Sequence, residues 1–285
     1  MPLSASHAAA AGTLRIARRG PEPRVPSYGV LSAIAKDQIY WFGRRGFIFT
    51  SPWVVTPSTV RHPAVVLLTA SGKPFELALS GRTLKCDAVA IAPHTVRGLS
   101  AVDVGLVSVN VEVHHPSYGT FRDIPAPCVQ RLERAAFRDF DTPLQQAYEG
   151  QLTRAEAERL FEGLVAGAVA QLPKGHRRDA RADLLLAFLR EHPTCSLDDV
   201  ARELGVSYAR ASRLFSRAVG MPLRTYQHWL KCMKAAQQFG VNLPWTRVAQ
   251  EAGFTDSAHF ARTWQRSFGH PPSYVRDSRH VRVVA

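Results

Sequence analysis

The sequence has little sulfur and few acids. Its 285 residues hold 4 cysteines and 3 methionines, and 23 acidic residues stand against 36 basic ones. Cys86, Cys128, Cys195 and Cys232 are scattered, with no Cys-x-x-Cys and no histidines at zinc-finger spacing, which argues against a zinc finger. Four isolated thiols fit a reducing compartment. No apolar run approaches the ~18–20 residues needed to span a bilayer, and the N-terminus carries no signal-peptide core. A cytoplasmic protein with no membrane partner is expected. Hydrophobic residues make up 46%, enough for a folded chain, and the length allows two domains with cores of their own. The net charge of +13 is uneven: from Lys174 onward there are 18 basic and 9 acidic residues, before it 18 and 14. A basic excess in the last part of the chain suits a surface that meets phosphate.

That last part is also where the strongest pattern lies. Ser196-Leu-Asp-Asp199 has the form of a capping box. Leu197, Val200, Ala201 and Leu204 follow at helical spacing, and Gly205 supplies a residue for a tight turn. Ser207 can cap a second helix with Ala211, Leu214, Phe215 and Ala218 inward, leaving Ala209, Arg210, Ser212, Arg213 and Arg217 outward. The pattern recurs, with Gly253 standing 48 positions after Gly205. Asn242 and Pro244 open a helix carrying Val248 and Ala249. Asp256 can then cap a partner helix with Phe260 and Trp264 inward and Ser257, His259, Arg262 and Arg266 outward. Between the units, Pro222 starts a helix of about 17 residues with Tyr226, Leu230, Met233 and Ala236 on its apolar side, roughly 25 Å long at ~1.5 Å per residue. With the width of the units added, two recognition helices would lie about one turn of B-DNA apart, ~34 Å.

The segment "SLDDVARELGVSYARASRLFSRAVGMPLRTYQHWLKCMKAAQQF" followed by "LPWTRVAQEAGFTDSAHFARTWQRSFGHPPSYVR" resembles the DNA-binding domain of the AraC/XylS family of bacterial transcription regulators. Ala249, Gly253-Phe254, Phe260, Arg262, Phe268-Gly269, Pro272 and Tyr274-Val275-Arg276 carry the likeness, which covers about the last third of the chain. Tyr208-Ala209 and Ala211 depart from the family pattern, the last standing where a larger aliphatic residue is usual. The resemblance implies base contacts from Ala209, Ser212 and Arg213 and from Ser257, Ala258, His259 and Arg262. Arg213 and Arg262 have the chemistry for guanine O6/N7. Arg210, Arg217, Arg266 and Lys231 suit phosphates.

Upstream the texture is different. Short runs rich in Val, Ile, Phe and Trp, cut by Gly, Pro and Ser, predict strands over Gln38–Phe42, Phe47–Val55, Ala64–Thr69, Phe75–Leu79, Ala88–Ile91 and Val104–Val113. Val65-Val-Leu-Leu68 is continuously apolar and predicts burial on both faces. Such spacing suggests a sandwich or jelly-roll barrel, and the family resemblance implies a cupin-like one. Cys86 to His94 resembles a barrel-closing turn. His62, His94, His114 and His115 raise a metal site, but no His-x-His pair is followed by Glu, so no metal or other cofactor is expected. A small-molecule effector pocket in the barrel is the better expectation. Trp41, Phe47, Phe49 and Trp53 are candidate walls. Trp41, Arg44, Arg45, Arg61, His94 and Arg97 are the candidate effector set, since a guanidinium offers a fork to carboxylate or phosphate.

Five stretches result. Residues 1–27 form a tail, 28–124 a cupin-like effector-sensing barrel, 125–173 dimerisation helices, 174–178 a linker, and 179–285 the tandem helix-turn-helix domain. Within 125–173, helices are predicted from Gln130 to about Asp139 and after Thr153, whose stripe of Ala157, Leu160, Phe161, Leu164, Val165 and Ala168 would meet the barrel or a second subunit. The fold class is α+β. The expected function is a sequence-specific transcription regulator of double-stranded DNA, in family fashion an activator, with a small-molecule effector, RNA polymerase and a second copy of itself as partners and no catalytic residues. Two alternatives differ in class: a DNA-binding protein whose N-terminal domain only meets proteins, and a cupin-type enzyme on a DNA tether.

Overall fold

The computed structural model describes residues 38–285 apart from 61, 71, 175–179, 193–194, 269–270, 278–280 and 285. The 1–27 tail, Arg61 and most of the 174–178 linker therefore lie outside the described residues. Among the described residues the N-terminal part, joined by a strand at 281–284, forms a mixed sheet of nine strands. These are β1 (Gln38–Phe42), β2 (Gly46–Val60), β3 (Ala64–Thr69), β4 (Phe75–Leu79), β5 (Arg82–Cys86), β6 (Ala88–Ile91), β7 (Val96–Val111), β8 (Val129–Arg131) and β9 (Val281–Val284).

The two long strands organise the sheet. Leu106–Val111 of β7 lie between β2 and β3, while its earlier half lies between the far end of β2 and β4. A register shift between Ser51 and Trp53 bends this ribbon, so the two halves fold over each other. Val65 and Leu67 of β3 and Val89 and Ile91 of β6 meet Val54, Phe75, Leu77 and Ala101 inside the fold. The alternate residues Ala64, Val66, Leu68, Ala88 and Ala90 face a layer of helices on the other side. β3 is thus buried on both faces, as its unbroken apolar run predicts. Pairing runs β8-β6-β3-β7-β2-β1-β9, so the ends of the path do not meet and the expected barrel is an open, bent sheet among the described residues.

The helices are α1 (Tyr118–Arg122), α2 (Asp141–Glu149), α3 (Arg154–Val169), α4 (Ala180–Glu191), α5 (Leu197–Glu203), α6 (Tyr208–Val219), α7 (Leu223–Ala236), α8 (Trp245–Glu251), α9 (Ser257–Phe268) and α10 (Pro272–Val275). The helix predicted from Gln130 to Asp139 is not there. Val129–Arg131 pair with Val89–Ile91 instead, and a 3-10 turn over Arg134–Phe140 leads into α2. A vacant edge of β6 outweighs helical preference in that stretch. At α3 the capping box is real: Glu156 N–H donates to the Thr153 hydroxyl at 3.3 Å, and the Glu156 carboxylate accepts the Thr153 N–H at 2.8 Å. Its stripe of Leu160, Phe161, Leu164, Val165 and Ala168 packs on the sheet, each residue 3% exposed or less. That face is used within the chain and is not open to a second subunit. Among the described residues no helix is long and apolar enough to cross a membrane.

Candidate nucleic-acid interface

Each half of the C-terminal domain presents one outward row. In the first, Ser196 and Asp199 cap each other: the Asp199 N–H donates to the Ser196 hydroxyl at 3.1 Å and the Ser196 N–H to the Asp199 carboxylate at 2.8 Å. Gly205, at φ 60°, turns the chain from α5 towards α6. Ser207 occupies the N-cap position of α6 without a side-chain hydrogen bond, so its expected capping role is positional only. Phe215, Ala218 and Ala211 are buried and Leu214 is half-buried. Ala211 has no exposed surface, so the small side chain is enclosed by its neighbours. Ala209, Arg210, Arg213 and Arg217 are exposed and Ser212 half-buried.

The second unit repeats this geometry. Gly253, at φ 88°, turns α8 towards α9, and the Asp256 carboxylate accepts the His259 N–H at 2.6 Å. Phe260 and Trp264 are buried. Ala258, Arg262 and Arg266 are exposed, while Ser257 and His259 are half-buried. Among the described residues no ion pair engages Arg210, Arg213, Arg217, Arg262 or Arg266, in contrast to Arg202 with Asp199 and Arg247 with Glu251. Guanidinium groups left unneutralised on two helices are what phosphates and guanine edges require.

Sequence reasoning missed His228. It stands on α7, the connecting helix, and its ring meets His259 edge-on at 5.5 Å. Burial, and then the positive charge of His259, Lys231, Arg224 and Arg266, holds its imidazole below the usual histidine value. The signal was weak, because a lone polar residue on a connecting helix gives no pattern. The connector itself has 14 residues rather than about 17, or ~21 Å at ~1.5 Å per residue.

Arg276, the last residue of the family signature, acts inside the domain. Its guanidinium lies 3.8 Å from the Trp245 ring centroid and donates to the carbonyls of Leu243 and Val241. It thereby ties the end of the chain's second unit to the segment before α8.

The two units are not free of the sheet. Tyr118 and His94 both donate to the Val219 carbonyl at the end of α6, each at 3.3 Å, and Arg122 donates to the Arg217 carbonyl at 3.0 Å. Tyr226 and His114 are hydrogen-bonded at 2.6 Å, and Trp229 donates to Glu112 at 2.7 Å. One hydrophobic cluster runs from the helix-covered face of the sheet into the first unit, through Val200, Phe215 and Tyr226. Another runs from Tyr40, Phe42 and Phe47 into the second, through Trp229, Phe260 and Trp264. Beyond α10 the chain returns to the sheet, where β9 pairs in parallel with β1.

The candidate effector residues that are described are not brought together. Trp41 faces the helix layer, packed 5.7 Å from Phe161. Arg44 and Arg45 lie exposed on the β1–β2 turn, and Arg45 reaches Glu162 at 3.6 Å. His94 belongs to the contact with α6. Arg97 is 7% exposed, stands at the same strand parity as Leu99 and Ala101, and donates from its guanidinium to the Thr95 carbonyl at 3.3 Å. A small cavity of about 20 Å³, bounded by Ile39, Trp41, Ile48, Thr50, Ala147, Gly150, Leu152 and Ala157, has room for one water. Among the described residues no cluster of three or more His, Cys, Asp or Glu is arranged to hold a metal ion.

Two helix-turn-helix units joined by one helix, each turning a basic row outward, make a tandem helix-turn-helix domain of DNA-binding type. Residues 200–278 match the family described as "Helix-turn-helix domain". The likeness to that family is confined to this C-terminal part of the chain. It is 31% identical over 149 residues to the HTH-type transcriptional activator RhaS of Escherichia fergusonii, covering 50% of this chain and 54% of that protein. It is 28% identical over 153 residues to the transcriptional activator NphR of a Rhodococcus species, covering 51% of this chain and 44% of that one. The chain thus spans about half the length of these curated relatives. Its fold is similar to that of unsaturated fatty acid bound ToxT from Vibrio cholerae, with a TM-score of 0.51, 9% identity, and 84% of this chain and 92% of that one covered. At that identity the likeness is one of fold.

Proposed function

We propose that this protein is a transcription regulator that reads a bipartite site in double-stranded DNA, one recognition helix in each of two major-groove segments. The observation that carries this reading is the pair of exposed basic rows, Ala209 to Arg217 on α6 and Ser257 to Arg266 on α9. Arg213 and Arg262 read base edges; Arg210, Arg217 and Arg266 position the protein on phosphates. RhaS and NphR are both named as activators, which supports activation through RNA polymerase. The sheet acts as the regulatory module because it grips both units at once, so a small change in the sheet alters their mutual angle. The effector we infer is a small organic acid, with Arg97 as its anchor, since a buried guanidinium favours a carboxylate. The fatty acid bound by the similarly folded ToxT is of that chemical class. A homodimer, if formed, uses a surface other than the α3 stripe.

The test is selection of the full chain on a randomised duplex pool at two salt concentrations. Two short boxes about one helical turn apart are expected. Strong salt-dependent binding without an enriched sequence would leave only a phosphate-binding surface.

A further inference from the structure

A carboxyl group is shut between the two modules, with no cation paired to it among the described residues. Glu112 directly follows β7 and is 6% exposed. One carboxyl oxygen accepts the Trp229 indole N–H at 2.7 Å, and the other, also buried, has no hydrogen-bond partner among the described residues. The main chain holds the side chain in place: the Glu112 N–H donates to the Arg45 carbonyl, and its carbonyl accepts the His115 N–H, both at 2.9 Å. Trp229 is fixed from the other side by Phe268 of α9, stacked at 5.2 Å, and by His62, edge-on at 5.5 Å.

The neighbouring charged and titratable groups have other business. Arg45 turns its guanidinium towards Glu162 on α3, and the His115 ring is hydrogen-bonded to Glu162 at 3.0 Å. His114 is taken by Tyr226 of α7, and His94 by the Val219 carbonyl. His62 packs against His94 and Trp229. None of these forms an ion pair with Glu112 among the described residues. A carboxylate there would be charged, half-satisfied and out of water, a costly state unless it holds a proton.

We propose that Glu112 and Trp229 form a proton-dependent latch between the sheet and the connecting helix, closed while the carboxyl is protonated and released when it ionises. Burial pushes this carboxyl from its ordinary value of 4.5 up to about 8, with the indole N–H working weakly the other way. Opening returns it to water and to its ordinary value. The closed state therefore takes up a proton between those two values. The contribution of Glu112 to its stability is full below about 4.5, declines as pH rises, and is lost through about 8. The closing equilibrium changes by up to about tenfold per pH unit in that window. His94 sets the acid limit. Burial holds its imidazole below the usual value, so its protonation at lower pH weakens closure. Because α7 joins the two recognition units, releasing Trp229 frees the segment that sets their spacing.

The experiment is small-angle X-ray scattering of the full chain from about pH 6 to about pH 9. The wild type is expected to expand as pH rises. Glu112→Gln, which keeps an acceptor for Trp229 and cannot ionise, is expected to keep one radius of gyration throughout. Equal expansion of both proteins, or none in the wild type, overturns the latch. Should the variant fold poorly, infrared spectra of wild type carrying carbon-13 glutamate decide the matter. A protonated-carboxyl band that vanishes as pH rises through about 8 supports the latch. No such band at neutral pH overturns it. Neither measurement involves DNA, so failure here leaves the DNA-binding reading untouched.

Discussion

Ile39 and Arg282 lie side by side in a parallel pair, 243 positions apart in the chain, so the last strand of the protein is bonded to its first described one. Val281 beside them is 3% exposed and belongs to the cluster that holds Tyr40, Phe42 and Trp264. The helix-turn-helix region thus ends inside the sheet module. Deleting residues 281–285 should cost about 2–3 kcal/mol, from the valine surface returned to water. The midpoint of urea denaturation checks this. An unchanged midpoint would mean that the strand adds nothing to the hold between modules.

Arg262 is exposed, forms no ion pair among the described residues and stands midway along α9. Arg262→Ala should weaken binding to the selected duplex by about 1–3 kcal/mol while changing affinity for scrambled duplex less. Titration of both duplexes at one salt concentration separates the cases. An equal loss on both would reassign Arg262 to a phosphate.

Leu164 sits in the middle of the α3 stripe and has no exposed surface. Leu164→Ala should destabilise the fold by about 2–5 kcal/mol through the cavity it leaves. Sedimentation velocity on the folded variant should show the same oligomeric state as wild type. A variant of normal stability that dissociates would restore α3 as a subunit contact.

Arg276 stacks on Trp245 and bonds two carbonyls that precede α8. Arg276→Ala should cost about 1–3 kcal/mol, and Arg276→Lys should recover only part, since an ammonium cannot stack as a planar group. Thermal unfolding followed by tryptophan fluorescence reads the loss. If Arg276→Ala unfolds at the wild-type temperature and only DNA binding suffers, the residue belongs to the interface instead.

Both helix-turn-helix units were legible because their signals are local. A cap, an apolar stripe and a glycine at positive φ lie within about twenty residues of each other, and each constrains the backbone whatever surrounds it. The strands β1, β3, β4 and β6 were legible for the same reason, their runs being bounded by turn residues. The stretch from Gln130 was misread as helix because β8 exists only through its partner β6. β9 was missed because four residues after a helical domain carry no periodicity. The effector set dispersed because residue type indicates what a side chain can bind but not which side of a bent sheet it faces.

The amino-acid sequence by itself determined that this protein carries two helix-turn-helix units with basic outer rows on one connector, since spacing along a helix fixes which side chains share a face. It also determined that a strand-rich module precedes them. Only the tertiary structure decided that the modules share two hydrophobic clusters, that the α3 stripe is used within the chain, and that Glu112 meets Trp229. Those contacts join residues far apart in the chain, and such pairings depend on how layers pack rather than on any local pattern.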